Sequence, residues 1–215
     1  MPFNKEKYLE IKDIISNKYQ KSCVIVAISK NHSMESVKEA ISSNVRVFGE
    51  NRVQEAFDKF YNLKKKHNDV ELHLTGPLQT NKVKKALEIF DVIQTLDREK
   101  LAHEFIKHKE LIKNKKFFIQ LNVGKEKTKS GVLPEEATEF VDYCRNDLKI
   151  NVVGLMCIPP FEKDPEPYFL EMKKIAGLAK IKLLSMGMSS DFEIAIKVGA
   201  DYIRIGTALF GSRGK

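Results

Sequence analysis

The sequence predicts an α/β protein built as a single (β/α)8 (TIM) barrel with one extra helix at its N-terminus. Strand-like and helix-like segments alternate with short connections, a pattern that requires a parallel sheet. Eight strand-like runs fall within 215 residues, at the compact end of the barrel's size range. No linker, low-complexity stretch or Pro/Gly-rich break divides the chain, so residues 1–215 read as one domain. A doubly wound open sheet is the competing architecture, but it seldom uses eight units so evenly.

An opening helix is expected over about residues 4–19. The first strand, 23–29, is the apolar run Cys23-Val24-Ile25-Val26-Ala27-Ile28-Ser29, rich in β-branched residues and followed by the helix-start signal Ser33. Further strands are expected near 45–48, 70–75, 91–95, 117–123, 151–157, 182–186 and 201–205. Between them, helical patterns occupy 34–43, 51–66, 80–89, 98–112, 135–147, 166–180 and 190–198. Pro134 before Glu135-Glu136 suits a first helical turn, and Ser190 with Glu193 fits a capping box. Gly199 suits a helix end. Pro159 to Pro167 reads as a stiff loop after the sixth strand.

The composition is that of an ordinary soluble globular protein. No apolar run approaches a membrane span, and Met1-Pro2-Phe3-Asn4-Lys5 lacks the apolar core of a signal peptide, so a cytoplasmic location is expected. Cys23, Cys144 and Cys157 are widely spaced with no C-x-x-C pair, which argues against disulfides and metal. The net charge of +8 is almost all lysine, clustered at 64–66, 82–85 and 113–116. A nucleic-acid groove would mix arginine and exposed aromatics into such patches; the chain has six arginines and no tryptophan. Solvated helix faces explain the clusters better.

Lys30 follows the first strand's apolar run and, by alternation, shares a face with Ile28, Val26 and Val24. Desolvation there lowers an amine's pKa and favours a nucleophile able to form a Schiff base. The competing reading is a snorkelling lysine that ends a strand. In barrels of this kind phosphate is often held by the loops after strands seven and eight. Those loops are Ser185-Met186-Gly187-Met188-Ser189-Ser190 and Arg204-Ile205-Gly206-Thr207-Ala208-Leu209-Phe210-Gly211, where glycine permits close backbone approach and Ser189 and Thr207 add hydroxyls. Either loop alone could be an ordinary turn. Barrel closure would pair strands eight and one, bringing Arg204 to the rim of Lys30. Amine, guanidinium and phosphate cradle together suit pyridoxal 5′-phosphate (PLP), with a phosphosugar Schiff-base enzyme as the competing fit.

A set of motifs in fixed order then carries a resemblance. They are Ala27-Ile28-Ser29-Lys30, Phe48-Gly49-Glu50-Asn51, His73-Leu74-Thr75-Gly76-Pro77, Lys129-Ser130-Gly131, Gly154-Leu155-Met156, Leu184-Ser185-Met186-Gly187-Met188-Ser189 and Arg204-Ile205-Gly206-Thr207. The chain resembles the PLP homeostasis proteins, whose fold is like the N-terminal domain of alanine racemase. The resemblance implies that PLP is held on Lys30, with Asn51 as the pocket asparagine and Met188 near the cofactor. It also implies phosphate contacts at Ser189, Gly206 and Thr207, with Arg204 facing the pyridine nitrogen. One departure is Arg52, where the family often has tyrosine or a similar residue.

Arginine cannot accept the proton that would make the pyridine ring a strong electron sink. Alanine racemase shares that arrangement but completes its site with a second domain and a partner-chain tyrosine, for which this chain is too short. The expectation is therefore a PLP-binding homeostasis protein, monomeric and without robust catalytic activity, which passes PLP to apoenzymes. The alternatives are a weak PLP-dependent amino-acid racemase or related enzyme and, from charge alone, a basic nucleic-acid-binding module. His103 and His108 lack metal-pair spacing. His73 reads equally as a core or a pocket histidine, and Asp91 and Asp97 as a turn residue and an N-cap.

Overall fold

The computed structural model describes residues 2–211 and forms a closed, all-parallel eight-stranded barrel in sequential order, β1 to β8. Met1 and residues 212–215 lie outside the described residues. The strands are β1 Val24–Ile28, β2 Val47–Glu50, β3 Glu71–Leu74, β4 Val92–Leu96, β5 Lys116–Leu121, β6 Val152–Cys157, β7 Leu183–Ser185 and β8 Tyr202–Ile205. Closure pairs β1 with β8 in the register Val26 to Arg204 and Ala27 to Ile205. The helices are α1 Lys5–Asp13, α2 Met34–Ser42, α3 Val53–Lys66, α4 Val83–Ile89, α5 Glu99–Ile106, α6 Lys109–Ile112, α7 Ala137–Asp142, α8 Glu166–Leu178, α9 Phe192–Val198 and α10 Thr207–Phe210. Single π-helical turns extend α1 through Ile14–Lys18 and α7 through Tyr143–Asp147.

The strands read as near-continuous apolar runs because both faces are covered. Their outward residues join the helices in one large core that includes Phe48, Phe60, Leu72, Phe105 and Phe117. Each such fully buried phenylalanine contributes roughly 1.5–3 kcal/mol. The inward face holds a second, smaller cluster of Val92, Phe118 and Met156, bordered by Leu183 and Tyr202. Size alternation fills this interior: a Cβ on Gly154 would lie 2.1 Å from the Phe118 ring, and one on Gly49 2.4 Å from Ile28.

Several local expectations need correction. The pattern over 98–112 is two helices, because the stripe Leu101, Ala102, Phe105 next needs an apolar residue where His108 and Lys109 stand. Pro134 to Glu136 forms a turn ahead of α7 rather than its first turn. The Ser190–Glu193 capping box does not form. Asp191 occupies the N-cap of α9, and Glu193 instead binds Lys18 and the Tyr19 hydroxyl. Arg98, not Asp97, is the N-cap of α5, and Asp97 pairs with it. The second strand runs two residues further than expected and takes in Glu50, a charge that sequence alone placed outside the strand. Gly199 ends α9 at φ +123°, as expected.

The cysteines are unpaired, and burial pushes all three thiols up to about 12. Among the described residues, no helix is long and apolar enough to cross a membrane, and no group of side chains could hold a metal ion.

Candidate functional site

All seven residues singled out above lie at or just beyond the C-terminal ends of strands, on one rim. Lys30 stands two residues after β1 and is half-buried, and Asn51 follows β2 directly. Met188 and Ser189 lie in the β7–α9 loop, Arg204 near the end of β8, and Gly206 and Thr207 at the start of α10. The β7–β8–β1 pairing makes six of them an arc, and the β1–β2 pairing brings Asn51 to its edge.

The Lys30 segment is held from below by charges buried between barrel and helices. Glu50 is fully buried, and its Oε1 accepts from the Ser29 hydroxyl at 2.7 Å and lies 2.6 Å from Lys59 Nζ. Lys59 also donates to the carbonyls of Ser29 and His32, at 2.6 and 3.3 Å, and pairs with Glu55 at 2.8 Å. Glu55 in turn accepts from the backbone N–H of Asn31, whose φ is +61°. Residues on both sides of Lys30 are thereby pinned. Burial raises the pKa of the Glu50 carboxyl, and the Lys59 ammonium opposes that rise.

Arg204 is the most exceptional charge in the fold. Its side chain projects into the barrel and is buried to 4% exposure. Nη1 donates to Ser185 Oγ at 2.9 Å and Nη2 to the Cys157 carbonyl at 2.7 Å. Among the described residues no carboxylate lies within ion-pair distance of it. Burial lowers its pKa, with Asp191 nearby opposing the shift.

The two small-residue loops are joined, since the Arg204 N–H donates to the Gly187 carbonyl at 2.9 Å. Gly187 has φ +89°, and a Cβ there would sit 2.5 Å from that of Ala195. The Met188 N–H is taken by Asp191 Oδ1, so this backbone donor is not open to an anion. The N–H groups of Ser189 and Ser190 make no hydrogen bond within the described residues. Those of Thr207 and Ala208 open α10 and have no intrahelical acceptor. Thr207 also borders a separate cleft against Phe3 and Asn4.

Asn51 accepts from the Thr75 hydroxyl at 3.0 Å and lines two cavities. The smaller, about 300 Å³, lies over the barrel mouth among Thr75, Gln120 and Ile158. The larger, about 1010 Å³, extends outward past Arg52, Lys82, Arg98 and Lys129. Arg52 thus adds charge to the wider groove. His103 bonds the Tyr143 hydroxyl, whereas His73 lies in the barrel interior. The bracing by Glu50, Lys59 and Glu55 was not foreseen from sequence.

The family model of the alanine racemase N-terminal domain matches residues 5–214. The pyridoxal phosphate homeostasis protein of Aquifex aeolicus (strain VF5) is 41% identical over 201 residues, covering 88% of this chain and 86% of that protein. The chain belongs to the pyridoxal phosphate homeostasis protein family. Its counterpart from Helicobacter pylori (strain ATCC 700392 / 26695) is 40% identical over 193 residues, 86% of each chain. A solved structure, that of PipY, the COG0325 family member of Synechococcus elongatus PCC7942, with PLP bound, superposes with a TM-score of 0.86. It is 31% identical, with 96% of this chain and 99% of that chain covered. The alanine racemase of Corynebacterium glutamicum shares the fold at 14% identity and a TM-score of 0.72, with 96% of this chain and 61% of that one covered.

Proposed function

We propose that this protein binds PLP, carries it on Lys30 and serves intracellular PLP homeostasis without robust turnover of its own. The observation that carries the reading is Arg204. A desolvated guanidinium without a carboxylate is costly unless a ligand supplies an acceptor. A pyridine nitrogen is such an acceptor, and Lys30 follows two residues after β1, the strand paired with β8. Unpartnered N–H groups at Ser189 and in the first turn of α10 fit a phosphate, with Gly206 and Thr207 at that turn and Met188 beside it. The names of the curated relatives, and PLP bound to PipY of Synechococcus elongatus, support the same ligand.

PLP brings an aldehyde and an electron-withdrawing ring. The Lys30 amine would hold that aldehyde as a Schiff base, with release of one water. The bracing of Ser29 and Asn31 holds the backbone on both sides of Lys30. Asn51, directly after β2, lines the smaller cavity beside this arc and would border the cofactor from that side.

Arg204 keeps its own protons and leaves the ring nitrogen unprotonated, which weakens carbanion stabilisation. The wide basic groove beyond Asn51 also lets water reach the site, which favours exchange of PLP over sheltered chemistry. Delivery to apoenzymes, a cytoplasmic setting and a monomeric state belong to the same reading.

Borohydride reduction of the PLP-loaded protein, followed by peptide mapping, tests the attachment. The expected result is one phosphopyridoxyl adduct on Lys30. No adduct, or an adduct elsewhere that persists in Lys30→Ala, overturns it. Deuterium exchange at the α-carbon of amino acids separates carrier from racemase: exchange above the Lys30→Ala control would favour the racemase.

A further inference from the structure

A chain of hydrogen-bonded polar side chains crosses the barrel interior from Arg204 to the opposite rim. Arg204 Nη1 donates to Ser185 Oγ at 2.9 Å, and Ser185 Oγ donates to Gln94 Oε1 at 2.7 Å. Gln94 Nε2 lies 2.7 Å from His73 Nδ1, and His73 Nε2 lies 2.8 Å from Glu71 Oε1. Ser185, Gln94 and His73 are completely buried, whereas Glu71 reaches solvent and binds Lys116 at 3.0 Å. Four strands contribute: β8, β7, β4 and β3.

Donor chemistry gives the chain one direction. A guanidinium only donates, so Ser185 Oγ accepts there and passes its own hydrogen to Gln94 Oε1. The Gln94 amide nitrogen then faces His73 Nδ1, which must accept. The ring proton therefore sits on Nε2 and points at Glu71. Burial lowers the pKa of His73 and keeps it neutral, while its hydrogen bond holds Glu71 down at about 2. A flip at any link would set donor against donor in a place without water. The chain thus ties a cation lacking a carboxylate partner to a carboxylate at the far rim, and such chains polarise link by link.

We propose that Ser185, Gln94, His73 and Glu71 are positioning residues for Arg204: they set the rotation and donor strength of the guanidinium that meets the cofactor's ring nitrogen. This rests on the PLP reading. Glu71 is a sensitive probe, since it stands at the rim opposite the cofactor and is open enough to change without upsetting the core.

The test compares Glu71→Gln, Gln94→Met, Ser185→Ala and the hydroxyl-retaining Ser185→Thr with wild type, reading PLP affinity, the absorbance of bound PLP and the pH midpoint of that absorbance. Gln94→Met and Ser185→Ala should weaken PLP binding about 10-fold or more. Glu71→Gln should shift the pH midpoint, and Ser185→Thr should restore wild-type behaviour. Nitrogen-15 NMR of the PLP-free protein should show neutral His73 with its proton on Nε2. A proton on Nδ1, or variants that lose thermal stability yet keep PLP affinity, spectrum and midpoint, overturns the positioning role alone. Wild-type protein that takes up no PLP overturns the cofactor reading and, with it, this role.

Discussion

Lys59 Nζ and Glu50 Oε1 lie 2.6 Å apart beneath the Lys30 segment, with side chains 9% and 0% exposed. Removing one partner strands the other in a water-poor site, whereas the intact pair repays much of its desolvation through Ser29, His32 and Glu55. Lys59→Met should therefore cost about 3–5 kcal/mol, read by urea unfolding. It should also slow adduct formation at Lys30, because the two carbonyls that Lys59 holds flank that residue.

Arg204→Gln keeps a donor but removes the charge. Hydrogen bonds to charged groups contribute about 1.5–3 kcal/mol, so PLP affinity should fall roughly 10- to 150-fold in equilibrium titration. Folding stability should fall far less than for Lys59→Met, since no buried carboxylate is left without its counter-charge. A variant that binds PLP as wild type does would remove Arg204 from the site.

The two loop and helix glycines make opposite predictions. At Gly187, φ is +89° and a Cβ would meet Ala195 at 2.5 Å, so Gly187→Ala should cost roughly 1–3 kcal/mol and disturb the phosphate loop. At Gly177, in α8, a Cβ would meet nothing within 4 Å, and Gly177→Ala should stabilise by up to about 1 kcal/mol. Paired thermal melts check both.

His73 confers a pH dependence of known sign. Its folded pKa lies below the free value of 6.5, so the unfolded chain binds more protons as pH falls through that value. Stability from neutral His73 is complete well above pH 6.5 and declines below it. Glu71 acts in the same direction further down: its stabilisation, present above the free value of 4.5, is lost towards about pH 2. Between pH 7 and 5, His73→Gln should flatten the stability curve relative to wild type; equal slopes would contradict a buried neutral imidazole.

The sequence by itself determined the barrel, because each strand is a short apolar run and each helix an amphipathic stretch, features visible within ten or fifteen residues. It also brought Lys30 and Arg204 to one rim, since a closed eight-stranded parallel sheet must pair its last strand with its first, although Lys30 itself stands in the turn after β1 rather than on the strand. The tertiary structure alone decided what surrounds them. Glu50 lies beyond the strand that the sequence pattern marks, yet it ends β2 and is buried beneath Lys59 from α3, and Asp191 took the cap that Ser190 seemed to hold. His73, Gln94 and Ser185 are polar residues set among apolar neighbours on three different strands, and nothing local joins them. Partners up to 91 residues apart meet inside the barrel, where the scarcity of water makes every donor find an acceptor. That requirement depends on three-dimensional burial, which no local pattern encodes.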